Sequence, residues 1–490
     1  MKTTLNLKSW LLVPVLALMA ACGGGGDSTA TTAPTTPTTP TTPVAPTLVS
    51  IAVTPASTTI AIGTQVQMTA TGTYSDGKNS DITKNATWAA KGNVVSVVFS
   101  SGLVTGKAVG TETVTATMGT VSGSTDLTVK APWTLVTAGG NFTIARKADG
   151  SLFEWGRNLF GQLGDNTTTD RATPALVVGA VTSWKMVAGG EQHTLAVRSD
   201  GTLWAWGYNH DGQLGDGTTA DKASPVRIGT KTDWVYVAAG KAHSFAINKA
   251  GGLFAWGNNF SGQLGDGTVV PKLVPTQIIA PANAVWATIA AGETHSVGRL
   301  TNGTMYLWGG NESGQTCAAA SATPVLTPTA LPLTWVEVAA GARHTAAIRA
   351  DGTLWTCGSN GSGQLGTLGP LPISSPLQPP QPFPWQVGTA TNWARVAVGA
   401  SHTLAVKADG TLWGWGSNSN GQVGNNSARD VTAPQQIGIA NTWVAVTAGL
   451  RHSFGMQSDS TLWGWGSDEF GQQGDGNTTT VAVPAPVNLP

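Results

Sequence analysis

The chain has 490 residues, of which 26 are basic and 26 are acidic, so the formal net charge is zero and only 11% of the residues are charged. This length leaves room for several domains, each with its own core. A surface that neutralises phosphates needs clustered Lys and Arg, and such sparse, balanced charge argues against nucleic acid as a partner.

Residues 1–21 have the layout of an export signal. Lys2 and Lys8 precede an apolar run from Trp10 to Ala21 that is short for a membrane span. The run ends in LMAAC, which resembles a bacterial lipoprotein signal and implies that Cys22 becomes the lipidated first residue after cleavage. By the same resemblance, the glycine after that cysteine implies the outer membrane if the organism is Gram-negative. The alternative is an ordinary cleaved signal that leaves Cys22 as a spare thiol.

Residues 22–47 are a low-complexity segment of glycines followed by repeated Thr-Thr-Pro. This composition cannot bury a core and favours extended, polyproline-like geometry. At about 3 Å per residue the reach of the segment is on the order of 70 Å. We therefore expect a tether that holds folded domains away from a surface.

Residues 48–130 alternate apolar and polar side chains between Gly and Asp-Gly turns, which predicts a small all-β domain. The runs YSDGKNSDITKNATW and SSGLVTGKAVGTETVTA resemble the group 2 bacterial immunoglobulin-like family. The resemblance implies a β-sandwich with Trp88 as its core aromatic side chain. We expect this domain to be a spacer without a ligand of its own.

From residue 131 to residue 490 one pattern recurs about every 50 residues. Seven copies each open with a Trp and contain a Gly-Gln pair, and short alternating runs joined by turns predict four strands per copy. Several turns are Asp-Gly pairs of the kind that favours two-residue hairpins. Radial repetition of four short strands predicts an all-β fold, a seven-bladed β-propeller. Six copies place a His nine residues after the opening Trp, whereas the first copy has Phe142; the histidines are His193, His243, His295, His344, His402 and His452.

The motifs AAGxxHS, DGTLWAWG and NxxGQLGDG resemble the regulator of chromosome condensation repeat family, which implies a seven-bladed propeller and leaves the function open. About four residues separate the last strand of one copy from the Trp of the next, so we expect these two strands to pair. Blades would then be offset from copies. Val483 to Leu489, at the end of the chain, would complete blade 1 as a clasp.

The repeated histidines are expected to be structural, because a ring places them far apart instead of around one ion. We expect them to bond backbone groups that tie blade to blade. Asp-Gly-Thr segments such as Asp216 to Thr218 lack the ligand spacing of a hand-type calcium loop and are better explained as capped turns. We expect no metal and no cofactor. GxSxG and HExxH are absent, which favours a protein that is not an enzyme, although paired carboxylates stay open.

Cys317 and Cys357 depart from the repeat in successive copies, where other copies have Gly and Trp. In an oxidising compartment, paired departures favour a disulfide between blades. Two free thiols are the alternative, because spacing along the chain does not show whether the Cα atoms lie within about 7 Å.

Function is expected where the copies differ, since variable loops on a rigid scaffold often build binding sites. Two stretches vary: the pair before each His, and the residues between Trp-Gly and Gly-Gln. The binding candidates are Phe160, Glu191, Tyr208, His210, Lys241, Phe260, Glu293, Arg343, Arg451 and Phe470.

These features predict a monomeric, exported and lipid-anchored protein, attached to the membrane only through its lipid, that binds a protein or glycan through its propeller loops. By family resemblance, one alternative is a secreted inhibitor of enzymes such as β-lactamase, although the Gly-to-His loops are small and polar. A glycan-acting enzyme is another alternative. The guanine nucleotide exchange known in this family needs a cytosolic or nuclear partner, against which the export signal argues.

Overall fold

The computed structural model describes residues 45–179, 182–279, 284–367 and 381–487. Within these ranges the secondary structure consists of strands and turns. No helix in them has the length and apolar character needed to cross a membrane. The expected export signal, the expected lipidation residue Cys22 and residues 22–44 of the expected tether lie outside the described residues.

The first domain is a β-sandwich of ten strands in three sheets, ordered β1-β4-β5, β2-β10-β9-β6 and β3-β8-β7. Trp88 is 1% exposed at its centre, and its Nε1 donates to the carbonyl oxygen of Thr83. The resemblance had implied this core aromatic residue. The strands are β1 (Leu48–Thr54), β2 (Thr58–Ala61), β3 (Gln65–Gln67), β4 (Thr69–Tyr74), β5 (Asn79–Asp81), β6 (Thr87–Ala90), β7 (Val95–Val97), β8 (Leu103–Gly106), β9 (Gly110–Met118) and β10 (Val121–Lys130).

Seven four-stranded antiparallel sheets follow, and each is one blade of a propeller. Blade 1 contains β11 (Trp133–Ala138), β12 (Phe142–Lys147), β13 (Leu152–Gly156) and β14 (Arg171–Leu176). Blade 2 contains β15 (Trp184–Gly189), β16 (His193–Arg198), β17 (Leu203–Gly207) and β18 (Lys222–Arg227). Blade 3 contains β19 (Trp234–Ala239), β20 (His243–Asn248), β21 (Leu253–Gly257) and β22 (Lys272–Gln277). Blade 4 contains β23 (Trp286–Ala291), β24 (His295–Leu300), β25 (Met305–Asn311) and β26 (Ser321–Leu331).

Blade 5 contains β27 (Trp335–Ala340), β28 (His344–Arg349), β29 (Leu354–Gly358) and β30 (Gln381–Gln386). Blade 6 contains β31 (Trp393–Val398), β32 (His402–Lys407), β33 (Leu412–Gly416) and β34 (Val431–Gln436). Blade 7 contains β35 (Trp443–Ala448), β36 (His452–Gln457), β37 (Leu462–Gly466) and β38 (Val481–Pro486). The first strand of each blade is the innermost, because the ends of these strands line a central cavity.

Asp-Gly turns join the second and third strands, but the connection has four residues and not two. Between β16 and β17 the carboxylate of Asp200 accepts hydrogen bonds from the backbone N–H and the hydroxyl of Thr202. Gly201 between them has φ of 78°, a left-handed conformation that costs glycine little. The extra residues let the carboxylate cap the turn.

The expected offset between copies and blades is wrong. Each sheet consists of the four strands of one copy, and β38 pairs with β37 of its own blade instead of completing blade 1. The reason is the long connection between the third and fourth strands, which folds back on itself. In blade 2 the buried Asn209 Nδ2 donates to the carbonyl oxygens of Thr218 and Ala220, which returns the fourth strand to the third.

The ring is held together by side-by-side joints between blades. In the joint between blades 2 and 3, His193 Nε2 lies 2.9 Å from Ser244 Oγ, and that hydroxyl donates to the carbonyl oxygen of Gln213 at 2.7 Å. Trp256 Nε1 donates to the same carbonyl at 2.9 Å. The ring closes in the same way, since His452 of blade 7 lies 3.2 Å from the hydroxyl of Thr143 in blade 1.

All six repeated histidines therefore lie in joints between blades and have a structural role. Their hydrogen-bond partner differs from the one we expected. The side-chain partner is a Ser or Thr hydroxyl of the next blade, whereas the sequence suggested a backbone group. Because the hydroxyl already donates its proton to a carbonyl, the imidazole must donate through Nε2. The pairs are His193–Ser244, His243–Ser296, His295–Thr345, His344–Thr403, His402–Ser453 and His452–Thr143.

The histidines are fully buried, and this burial keeps them neutral. Desolvation lowers the pKa of His193, His243, His295 and His402 to about 3, and that of His344 and His452 to about 4.

The joint between blades 1 and 2 is different, because Phe142 replaces the histidine. Here the buried Glu154 takes part, with Oε2 lying 3.4 Å from both the hydroxyl of Thr194 and Nε1 of Trp206. Burial raises the pKa of Glu154 well above its usual range. Copies 2 and 3 have Ala205 and Ala255 at the position of Glu154, so two departures from the repeat meet in one joint.

Cys317 of blade 4 and Cys357 of blade 5 form a disulfide, with their Cα atoms 5.3 Å apart. In other joints a glycine packs against the indole of the next blade: a Cβ added to Gly164 would lie 2.8 Å from Trp206 Nε1. The cysteines replace this Gly–Trp contact with a covalent bond.

The histidine joints predict acid lability. The pKa of each histidine is lower in the folded chain than the value of about 6.5 in the unfolded chain. The unfolded chain therefore binds protons that the folded chain excludes, and stability is complete above pH 6.5 and is lost as pH falls towards 4. With six such groups, the free energy of unfolding should change by up to about 8 kcal/mol per pH unit. Urea unfolding of the full chain across this range measures the slope.

His243→Ala tests the same joints at one position. We expect a loss of about 2–4 kcal/mol at neutral pH, because the change leaves a cavity and removes a buried hydrogen bond. The pH dependence of the unfolding free energy in acid should fall by the contribution of one proton. His210→Ala, on the surface, is the control and should leave the stability at neutral pH nearly unchanged. A His243→Ala variant with wild-type stability would contradict the structural role.

The disulfide closes a 40-residue separation, so its reduction should cost about 3–4 kcal/mol and lower the melting temperature. Cys317→Gly combined with Cys357→Trp restores the residues of the other copies and should melt independently of reductant. The variant with Ser at both positions does not restore the indole, so it should melt at a lower temperature than the Gly–Trp variant. Complete thiol labelling of the unreduced chain would show that the disulfide is absent.

Candidate functional site

Two sets of connections lie on one side of the propeller, which we call the loop face. They join the first strand to the second and the third strand to the fourth in each blade. Antiparallel pairing sets them side by side, as in the hydrogen bonds from Tyr208 N to Gln192 O (2.9 Å) and from Asn258 N to Ala242 O (2.8 Å). The Asp-Gly turns and the links between blades lie on the opposite face. All ten binding candidates therefore share the loop face.

Three of the candidates form a cluster, which we call the aromatic cluster. The ring of Phe160 in blade 1 packs against that of Tyr208 in blade 2 at an angle of 58°, with centroids 4.7 Å apart, and Tyr208 lies 4.5 Å from the ring of His210. These separations lie within the range of attractive ring pairs. His210 is exposed, and its Nε2 lies 3.9 Å from Asp221 Oδ1. The cluster thus spans the joint in which Phe142 and Glu154 replace the usual histidine contact.

Phe470 of blade 7 extends the apolar surface in the other direction. Its ring lies under the guanidinium of Arg157, 4.9 Å from the ring centroid, and Arg157 belongs to blade 1. This cation–π pair was not among the candidates taken from the sequence. Phe260 of blade 3 is 70% exposed and lies apart from the cluster.

The connections between first and second strands surround a central cavity of about 340 Å³. Gly and Ala form most of its wall, because seven loops converge there and larger side chains would collide. Three candidates line it, one each from blades 2, 3 and 4: Glu191, Lys241 and Glu293.

Charges around the cavity are paired. Glu293 accepts a hydrogen bond from Lys241 at 2.7 Å and lies 3.6 Å from Arg343 of blade 5. The bond to Glu293 raises the pKa of Lys241, and burial raises the pKa of Glu191. Arg451 of blade 7 is exposed. Blades 2 to 5 therefore form a charged rim.

A residue that the sequence analysis missed lies in the third-to-fourth connection of blade 7. Asp468 stands where the other six copies have Asn, and it is fully buried. Its Oδ2 has no hydrogen-bond partner. Burial, with a smaller contribution from nearby Asp475, raises the pKa of Asp468 to about 7. Comparing the copies position by position would have revealed this substitution.

The arrangement supports recognition better than catalysis. The repeated histidines are buried in the frame and cannot meet a substrate. The loop face offers stacking surfaces, paired charges and a small cavity, which are means of holding a partner in place. It is consistent with a binding protein.

Comparisons with known families agree with this fold. Residues 93–370, more than half of the chain, match the RCC1-like domain, and residues 351–406 and 409–456 match the regulator of chromosome condensation (RCC1) repeat. Residues 48–129 match the bacterial Ig-like domain (group 2). The first match begins inside the sandwich, where β7 to β10 belong to the Ig-like domain, so the strands place the boundary near residue 131.

Similar curated proteins share only part of the chain. Ice-binding protein 1 of Shewanella frigidimarina is 48% identical over 83 residues, which are 17% of this chain and 9% of that protein. The ultraviolet-B receptor UVR8 of Arabidopsis thaliana is 36% identical over 95 residues, 19% of this chain and 22% of that protein. The chain thus spans less than a quarter of either relative.

Solved structures match the propeller as a whole. Human WBSCR16 aligns with 69% of this chain and 94% of its own, with a TM-score of 0.61 and 21% identity. Yeast RCC1 (Prp20), in its complex with Kap60, aligns with 73% of this chain and 85% of its own, with a TM-score of 0.62 and 20% identity. At these identities the likeness shows the fold alone. Together with the family matches, it shows that this chain belongs to the RCC1-like family of propeller proteins and has a bacterial Ig-like domain before the propeller.

Proposed function

We propose that this chain is a non-catalytic binding protein that uses the loop face of its propeller to recognise a protein or glycan. The aromatic cluster is the observation that carries the proposal. Phe160, Tyr208 and His210 come from two blades and present a continuous ring surface on the face that also carries the charged rim. Clustered aromatic side chains supply much of the binding energy at protein interfaces and also stack well on other flat surfaces.

The charged rim supports selection of the partner. Lys241, Glu293 and Arg343 hold each other in place, so their charges are preorganised when a partner arrives. Complementary charges at the edge of an interface mainly guide association and reject wrong partners.

We further propose that the protein is exported and held at the bacterial envelope by a lipid on Cys22. The signal-like residues 1–21 and the LMAAC motif support this placement. The Thr-Pro tether and the Ig-like domain would then carry the propeller away from the membrane.

The binding proposal predicts a specific loss. Tyr208→Ala with Phe260→Ala should weaken binding of an envelope protein or an arrayed glycan by about tenfold or more, because the half-buried ring of Tyr208 and the exposed ring of Phe260 are removed. Melting should be unchanged. Ile439→Ala is the matched control, since Ile439 is 98% exposed on the opposite face.

A partner that binds the Tyr208/Phe260 double variant as tightly as it binds the Ile439→Ala control would contradict a loop-face site. Turnover of the glycan, lost when one acidic residue is changed, would replace the binding proposal with an enzyme.

The lipid proposal has its own test. Growth with a labelled fatty acid should label the wild-type protein, and Cys22→Ala should abolish the label because its thiol is the attachment point. Equal labelling of both proteins would contradict lipidation at Cys22.

A further inference from the structure

Connections between the third and fourth strands contain a cage of oxygen atoms around an amide group. In blade 2, Asn209 Nδ2 donates to Asp216 Oδ1 and to the carbonyl oxygens of Thr218 and Ala220, each at 3.1 Å. Asn209 Oδ1 accepts from the backbone N–H of Leu214 at 2.9 Å. The donor group of the amide is thus enclosed by acceptors. Asn158 and Asn259 make the same contacts in blades 1 and 3.

Blade 7 keeps the cage and changes its centre. Asp468 Oδ1 accepts from the backbone N–H of Gln473 at 2.8 Å, as Asn209 Oδ1 does from Leu214. The other carboxylate oxygen therefore occupies the place of the amide donor, where it is buried and has no hydrogen-bond partner. The surrounding turn is retained, because Asn477 N donates to Asp475 Oδ1 at 3.1 Å. Where blade 2 has a hydrogen-bond donor, blade 7 therefore has a second acceptor.

The negative charge of this cage also lacks the basic partner that the cages of blades 1 to 3 have. In blades 1 to 3 the cage aspartate pairs with a basic residue that lies opposite the glycine ending the third strand: Arg171 at 2.8 Å, Lys222 at 3.4 Å and Lys272 at 3.3 Å. In blade 7 the register puts Val481 at that position. Blade 6 also has a valine there, Val431, but its cage residue is the neutral Asn425. In the described blades, only blade 7 combines two carboxylates with the loss of the basic residue.

We infer that the cage of blade 7 is a calcium site, with the carboxylates of Asp468 and Asp475 and the oxygens of Asn477 and Thr479 as ligands. Ca²⁺ takes six to eight oxygen ligands at about 2.4 Å, which leaves neighbouring ligands roughly 3 Å apart, the spacing found in the equivalent cages. Two negative charges favour a divalent ion over Na⁺, and backbone carbonyls suit Ca²⁺ better than the strictly octahedral Mg²⁺. Asp475 is exposed, which leaves an entry path.

The donor set makes this a weak site. No group of three or more His, Cys, Asp or Glu in the described ranges is arranged to hold a metal, and here only two ligands are carboxylates. The affinity should resemble that of extracellular calcium modules, with a Kd on the order of 0.1–1 mM. Binding would order the connection that carries Phe470, next to Arg157 on the loop face.

Titration of the mature chain with CaCl₂, followed by calorimetry and by thermal melting, tests the site. We expect one ion per chain and a rise in melting temperature of about 2 °C at ten times the Kd, with little effect of MgCl₂. Asp468→Asn restores the amide of the other copies, so it should fold normally and lose the response to Ca²⁺.

A gain of function provides the matched control. Asn209→Asp with Lys222→Val builds the features of blade 7 into blade 2 and should add a second calcium ion. Failure of the wild-type chain to bind Ca²⁺ at about 10 mM would overturn the inference and leave a protonated Asp468 as the occupant of the cage. An undiminished response in Asp468→Asn would also overturn it, because the ion would then bind elsewhere.

Discussion

Six of the seven joints between blades depend on one small hydrogen-bonded unit. A neutral imidazole donates to a hydroxyl of the next blade, and that hydroxyl donates back to a glutamine carbonyl, as in His193, Ser244 and Gln213. All three groups are buried, so an unpaired member would be costly. The unit therefore fixes how each blade meets its neighbour. It also closes the ring between blades 7 and 1 without any exchange of strands.

Departures from the repeat come in pairs, and the two members of each pair belong to the same joint or the same connection. Phe142 removes the imidazole from blade 1, and Glu154 brings a carboxyl to the same joint. Cys317 and Cys357 replace a glycine and a tryptophan that touch in other joints. In blade 7, Asp468 departs from Asn and Val481 departs from a basic residue, so an excess of negative charge remains. A single departure changes one contact, whereas a pair replaces one interaction with another.

The sequence predicted the repeating features well. Seven copies, four strands per copy and the core position of Trp88 all follow from periodicity and family motifs. The offset of blades from copies was wrong, because the spacing of strands does not show that the long connection folds around Asn209 and returns the fourth strand to its own sheet. Contacts between copies could not be predicted either. Phe160 and Tyr208 are 48 positions apart in the chain and meet only because a joint brings their blades together.

For the site too, the sequence predicted which residues matter but not which of them touch. Periodicity identified the repeated histidines as structural residues. It could not identify hydroxyls as their partners, because the Ser or Thr that contacts a His belongs to a different copy of the repeat. The loop face was predictable as a set of variable residues, whereas the cluster within it was not. Asp468 was visible in the sequence, but its meaning required the cage, which only the folded connection provides.

The most direct measurement is an NMR spectrum of the imidazole nitrogens in the ¹⁵N-histidine-labelled chain. We expect six imidazoles as neutral Nε2–H tautomers that keep this state as the pH is lowered until the chain unfolds. Imidazolium signals from the repeat histidines in the folded chain, or Nδ1–H tautomers at neutral pH, would contradict the joint on which the ring depends.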